Sequence, residues 1–226
     1  MPLKATGPAT EPREIDRWEG GVGWIAHPEE DIQRASHALV VDGDVWVIDP
    51  VDTPDLDERL ADLGDVAGVV VLCDRHVRDA PAIARRHGVA VHVPVWMRGV
   101  VDDLDVPVEL IRRTLGGTGY ELYRLFDNPL WREGALYDDD SGALVVPESV
   151  GTVPDFLVGS ERLGVHPALR LTPPRTLRQF APERVLVGHG AGVFEDATAA
   201  LHDALDNARR RAPRFYAETV RRFLSG

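Results

Sequence analysis

The chain has 226 residues, 44% of them hydrophobic, and a formal net charge of −12 at pH 7. That is long enough for one domain with a sizeable core, and the charge repels nucleic-acid phosphates and anionic lipid, so neither is an expected partner. A single cysteine, Cys73, excludes a disulfide framework and a cysteine-rich zinc site. No apolar run approaches the roughly 18 residues of a membrane span. The polar start, MPLKATGPATEPREIDRWEGG, lacks the apolar centre of a secretion signal, and the expected location is the cytoplasm. Lys4 is the single lysine among 25 basic residues, a bias that a GC-rich genome and adaptation to high salt would both produce.

Residues 1–20 read as a flexible segment and 21–226 as one domain. His37 to Asp49 contains two alternating apolar runs joined at Asp42-Gly43, which predicts a hairpin. Thr53-Pro54-Asp55 reads as a helix start, and Leu56, Leu60 and Leu63 share one face of the helix that follows. Gly68 to Leu72 is continuously apolar, as in a strand covered on both sides. A helix over Ala80 to His87 and a strand over Val89 to Pro94 come next. Tyr120 to Phe126 alternates, and Gly134 to Tyr137 and Ala143 to Val146 flank the acidic turn DDDSG. A helical pattern near Arg175 to Phe180 precedes the buried strand Arg184 to Val187. The end carries two helical stripes: Ala197, Leu201, Leu205 and Ala208, then Phe215, Val220, Phe223 and Leu224 after Ala212-Pro213. Two strand-rich halves, each closed by helices, imply packed sheets with helices outside.

Polar residues gather where two buried strands end, the usual place for a site in an α/β sheet. One segment is Leu72 to Ala80, between the strand GVVVL and its helix. The other is Val187-Gly188-His189-Gly190, whose glycines let the backbone pass close to a neighbour. Simpler roles compete. Asp79 caps the helix at Ala80-Pro81 and Asp74 caps loop amides. His76 is a hydrogen-bonded structural histidine, Glu148 a turn residue and Cys73 an inert small apolar residue. His27, His37 and His166 have no partner evident from spacing.

The order of elements, the hairpin end Val47-Ile48-Asp49-Pro50 and the two strand-end segments resemble the metallo-β-lactamase fold superfamily over roughly His37 to Arg210. The resemblance implies an α/β fold, a four-layer αββα sandwich, and an ancestry of hydrolysis assisted by one or two metal ions. It also exposes departures. Where the family has His-x-His-x-Asp-His, this chain reads Asp74-Arg75-His76-Val77-Arg78-Asp79. The middle histidine, due between Leu110 and Leu136, is missing, and Asn128-Pro129-Leu130-Trp131 stands in its segment. Glu148 matches the bridging aspartate and His189 the last histidine. The chain thus resembles a ligand-poor branch of the superfamily.

The residues left, His76, His189, Glu148 and Asp74 or Asp79, suit one zinc, iron or manganese ion. Arg78, a permanent cation where the second metal's carboxylate belongs, argues against two. Two functions stay open. One is a hydrolase of a small ester, thioester or phosphoester, using one metal with Asp74 or Asp79 as base. The other is a non-catalytic scaffold without metal, binding a small ligand or a protein. There Arg78 would replace the metal's charge and pair with Asp74 or Glu148.

Overall fold

A computed structural model describes residues 2–5, 7–9, 11–102 and 104–225. The side chain of Phe223, counted above in the second helical stripe, lies outside the described set. The first sheet has seven strands in the order of the chain: β1 (Arg13–Trp18), β2 (Gly21–Ile25), β3 (Ala35–Val41), β4 (Asp44–Ile48), β5 (Asp65–Val70), β6 (Val91–Pro94) and β7 (Val108–Ile111). Strands β1 to β4 pair antiparallel and β4 to β7 parallel. Helix α1 (Leu56–Ala61) links β4 to β5, α2 (Ala80–His87) links β5 to β6, and the short α3 (Arg98–Val101) precedes β7. The predicted β3–β4 hairpin turns at Asp42 and Gly43, both with positive φ (52° and 89°), as the right-handed twist of a two-residue hairpin requires.

The second sheet orders β13 (Arg184–Val187), β10 (Ala143–Val146), β9 (Trp131–Asp138) and β8 (Glu121–Asn128), with β13 parallel to β10. A two-stranded ribbon of β11 (Val150–Gly151) and β12 (Gly164–Val165) lies between them in sequence. The chain ends in α4 (Ala197–Ser225).

Period-two patterning explains how these elements stack. Val69 and Val71 join a core with Leu56, Leu60, Ile83 and Ala84 of α1 and α2. Val70 and Leu72, pointing the other way, join Leu136, Val145 and Leu186 of the second sheet. That sheet's opposite face, Leu144, Val146, Val185 and Val187, packs on Ala197, Leu201, Ala204 and Leu205 of α4. Each fully buried Val or Leu contributes roughly 1.5–3 kcal/mol.

Several expectations shift. Within the stretch read as flexible, Arg13–Trp18 pairs with β2, and Asp31 N–H donates to Pro2 O at 3.0 Å. The helical pattern at Arg175 is a 3-10 turn, Arg175–Gln179. Pro213, which stands between the two helical stripes, sits inside α4, a single helix. Burial of Ala208, Ala212 and Phe215 around it carries the helix across the hydrogen bond that proline cannot donate. Among the described residues no helix is long and apolar enough to cross a membrane.

Candidate functional site

Two parallel strand pairs set the site. Because β4 runs with β5 and β10 with β13, the ends of all four strands reach one edge of the sandwich. Asp49 follows β4, Cys73 and His76 follow β5, Glu148 follows β10 and His189 follows β13. The seam between the sheets closes there, where Ala35 N–H donates to Gly188 O at 2.9 Å. Glycine is required at this crossing. A Cβ on Gly188 would lie 2.0 Å from Pro147 O, and one on Gly190, at φ +90°, would lie 2.3 Å from Thr152 Oγ1.

The three residues expected as ligands that the fold brings together are His76, His189 and Glu148. Nδ1 of His76 donates to Asp49 Oδ2 at 3.0 Å, and Nδ1 of His189 donates to the Ile32 carbonyl at 2.7 Å. Those partners place the protons on Nδ1 and turn both Nε2 atoms inward. They meet the same oxygen: Glu148 Oε2 lies 2.7 Å from His76 Nε2 and 3.0 Å from His189 Nε2. Burial by itself raises the Glu148 carboxyl, yet hydrogen bonding to His189 and His76 pulls it well below the ordinary carboxylate range. Burial and the Arg78 charge oppose protonation of His76, but Asp49 and Glu148 outweigh them and raise its pKa; burial lowers that of His189. Cys73 Sγ, His76 and Glu148 also offer ligand atoms within 4.8 Å of one another, a group that could hold a metal ion. Burial pushes the Cys73 thiol up, so on its own it stays protonated.

Asp74 and Asp79 fall outside this group. Arg78 adopts a left-handed backbone, φ +45°, which swings the following residue away. Asp79 N–H donates to Pro50 O at 3.1 Å, and its carboxylate accepts from Asp52 N at 2.9 Å. Asp79 occupies the N-cap position of α2 without a side-chain cap bond, and the fold does not bring it together with His76, His189 and Glu148. Asp74 Oδ2 lies 3.9 Å from the Arg132 guanidinium, and its Oδ1 lies 3.8 Å from Cys73 Sγ.

The expected pairing of Arg78 with Asp74 or Glu148 is also corrected. Its Nη1 donates to Ala35 O (2.5 Å) and Asp49 O (2.7 Å), and its Nη2 donates to Gly188 O (3.2 Å). Arg78 does join the two sheets, but through neutral carbonyls. Its Nη2 stands 3.5 Å from His76 Nε2.

Residues not singled out from the sequence complete the site. Asp49, quoted there only as a fold marker, also accepts the Leu72 backbone N–H at 2.8 Å and so ties β4 to β5. Glu133 is fully buried and holds the Glu148 loop. Its Oε1 accepts the N–H groups of Glu148 and Ser149, both at 2.9 Å, and its Oε2 accepts Trp131 Nε1–H at 2.8 Å and the Ser149 hydroxyl. His166 packs its ring against Trp131 and Phe156, with centroids 4.8 and 5.0 Å away, and faces Glu148 Oε1 at 3.5 Å. A cleft of about 220 Å³ opens over His76, Glu148, His166 and His189. A larger hollow, about 470 Å³, lies around Asp52 and Asp79.

No family model matches the sequence, and no curated protein matches it. Solved structures do. The DIM-1 metallo-β-lactamase superposes with a TM-score of 0.64 at 12% identity, over 89% of this chain and 100% of its own. A metallo-β-lactamase from Hirschia baltica gives 0.60 at 8% identity, over 87% and 98%. The chemotaxis sensor ODP from T. denticola, in its apo state, gives 0.58 at 12% identity, over 86% and 93%. The chain has the metallo-β-lactamase fold. Proteins named metallo-β-lactamase and one named a chemotaxis sensor share that fold, so the fold alone does not define a function.

Proposed function

We propose that the chain is a metal-dependent hydrolase of a small ester, thioester or phosphoester, with one ion held by His76, His189 and Glu148. One observation carries this reading: with Nδ1 of each imidazole committed to an acceptor, two nitrogen lone pairs and a carboxylate oxygen converge on one point. Three lone pairs repel unless positive charge lies among them, supplied by a metal ion or, without one, by imidazole protons that then hydrogen-bond to Glu148. A carboxylate behind one histidine and a carbonyl behind the other are the supports that metal-ligating histidines use. Cys73 is close enough to His76 and Glu148 to serve as a further ligand. A bound divalent ion supplies Lewis acidity toward a carbonyl or phosphoryl oxygen. The residues here do the rest: Asp49 orients His76, Glu133 fixes the loop that presents Glu148, and His166 offers its Nε2–H to the cleft.

A second reading, a scaffold without metal, is favoured by a specific observation. Asp49 and Glu148 flank His76 and raise its pKa, so an imidazolium between two carboxylates would supply the missing positive charge. Elemental analysis of protein purified without chelator separates the two. About one equivalent of zinc, iron or manganese, lost in His76→Ala and in His189→Ala, upholds the hydrolase. No metal under any loading condition leaves the scaffold.

A further inference from the structure

We propose that the mouth of the cleft is an oxyanion subsite, in which Arg75 and the Nε2–H of His166 together bind a carboxylate or phosphate group of a small ligand. That this ligand is a substrate rests on the hydrolase reading; the anion site itself does not.

The first observation is a local reversal of charge. The chain carries 37 acidic residues against 25 basic ones, yet Lys4, Arg34, Arg75 and Arg78 line this cleft and, among the described residues, Glu148 is its one acid. The single lysine of the sequence is therefore at this mouth. Clefts lined by one sign of charge draw ligands of the other sign.

Not every cation there is available. Arg34 is committed to Glu30, with contacts of 2.5 to 3.0 Å, and Arg78 to three carbonyls. Arg75 is different. Its guanidinium stacks over the Trp131 ring at 4.0 Å, which fixes its plane. Its closest carboxylate contact is loose, 3.7 Å from Nη2 to Glu148 Oε1, and a single bond of 3.3 Å runs from Nη1 to Leu130 O. Most of its five N–H donors remain to serve a ligand.

His166 supplies the second donor. Its Nδ1 accepts the Ala168 backbone N–H at 3.1 Å, so the ring proton is on Nε2. That Nε2–H stands 3.5 Å from the same Glu148 Oε1, too far for a good bond. Glu148 cannot move to close either contact, because His76 and His189 hold its other oxygen and Glu133 holds its backbone. Arg75 Nη2 and the His166 Nε2–H thus face one place, with Glu148 Oε1 beyond good bonding distance of each. A ligand oxygen entering beside Glu148 would accept from both donors at closer range, the cations of the cleft offsetting its repulsion from that carboxylate. With about 220 Å³ available, the cleft is below the range of drug-sized pockets, so only the small charged end of a ligand enters.

The test is binding of inorganic phosphate and of acetate, each followed by calorimetry and by the histidine nitrogen resonances, with metal content measured on every preparation. Chelator-stripped protein is expected to bind phosphate saturably and to shift the His166 resonances. Arg75→Gln is expected to weaken binding about tenfold or more, and His166→Phe severalfold. The exposed Arg124→Gln serves as control. Acetate binding with the same Arg75 dependence assigns the subsite to carboxylates as well; its absence assigns it to phosphate. The proposal is overturned if Arg75→Gln binds like Arg124→Gln, or if binding disappears when metal is stripped. Phosphate held through Arg75 by a chain that takes up no metal would uphold the subsite while removing the hydrolase reading.

Discussion

Asp49 and His76 are joined by a buried 3.0 Å hydrogen bond that spans 27 residues of sequence and fixes which imidazole nitrogen faces Glu148. Asp49→Asn keeps the shape and removes the charge behind the ring. Metal affinity, measured by competition with a chelator, is expected to fall roughly 10- to 100-fold, the usual effect of losing such an outer partner. Unchanged affinity would show that His76 is not a ligand oriented in this way.

Glu133 accepts from four donors inside the protein. In Glu133→Gln one carboxylate oxygen becomes an NH₂ group that faces donors. Stability is expected to drop by about 2–3 kcal/mol, read as a lower midpoint in urea. Loss of metal should accompany it, because the Glu148 loop is released. A midpoint equal to that of the parent would contradict the role given to Glu133.

Arg78→Lys retains the charge but not the fork that reaches Ala35, Asp49 and Gly188. An ammonium cannot span three carbonyls on two sheets, so a loss of about 2–4 kcal/mol is expected for Lys and a comparable loss for Arg78→Ala. Were charge what mattered at this position, the lysine variant would be as stable as the parent, and calorimetric unfolding would show it.

Burial pushes His166 down to about 4 and also lowers His37. In the unfolded chain each histidine titrates near 6.5. Below about pH 6.5 the unfolded state binds protons that the folded state excludes, so stability falls with acid through the interval from 6.5 toward 4 set by His166, with His37 acting in the same direction. His166→Phe preserves the ring contacts with Trp131 and Phe156. Its stability is expected to fall less steeply with acid, by about 3 kcal/mol over that range. Parallel pH curves for parent and variant would refute the assignment.

The fold was legible where its causes are local. Turn chemistry at Asp42-Gly43, the doubly covered GVVVL run and the glycines around His189 each state their reason within a few residues. His76, Glu148 and His189 were legible because they stand at strand ends within a resembling motif. Asp49, Glu133 and His166 were not, since each is defined by partners brought in from elsewhere in the fold. The His189 partner, Ile32, is 157 residues away. Asp79 stands apart from them for a different reason. Spacing in a motif assumes a regular path, and the left-handed turn at Arg78 breaks that path one residue before it.

The crossing of Ala35 over Gly188, gripped by Arg78, has a mechanical meaning. The sheets cannot slide past each other at this edge without tearing Arg78 from at least one of its carbonyls. Strand ends from both sheets build the centre, so that same displacement would scatter His76 and His189. The protein therefore lacks a cheap route to a half-open state. The amide hydrogen of Ala35 should exchange with solvent only when the whole molecule unfolds, and the binding centre should survive intact up to that event.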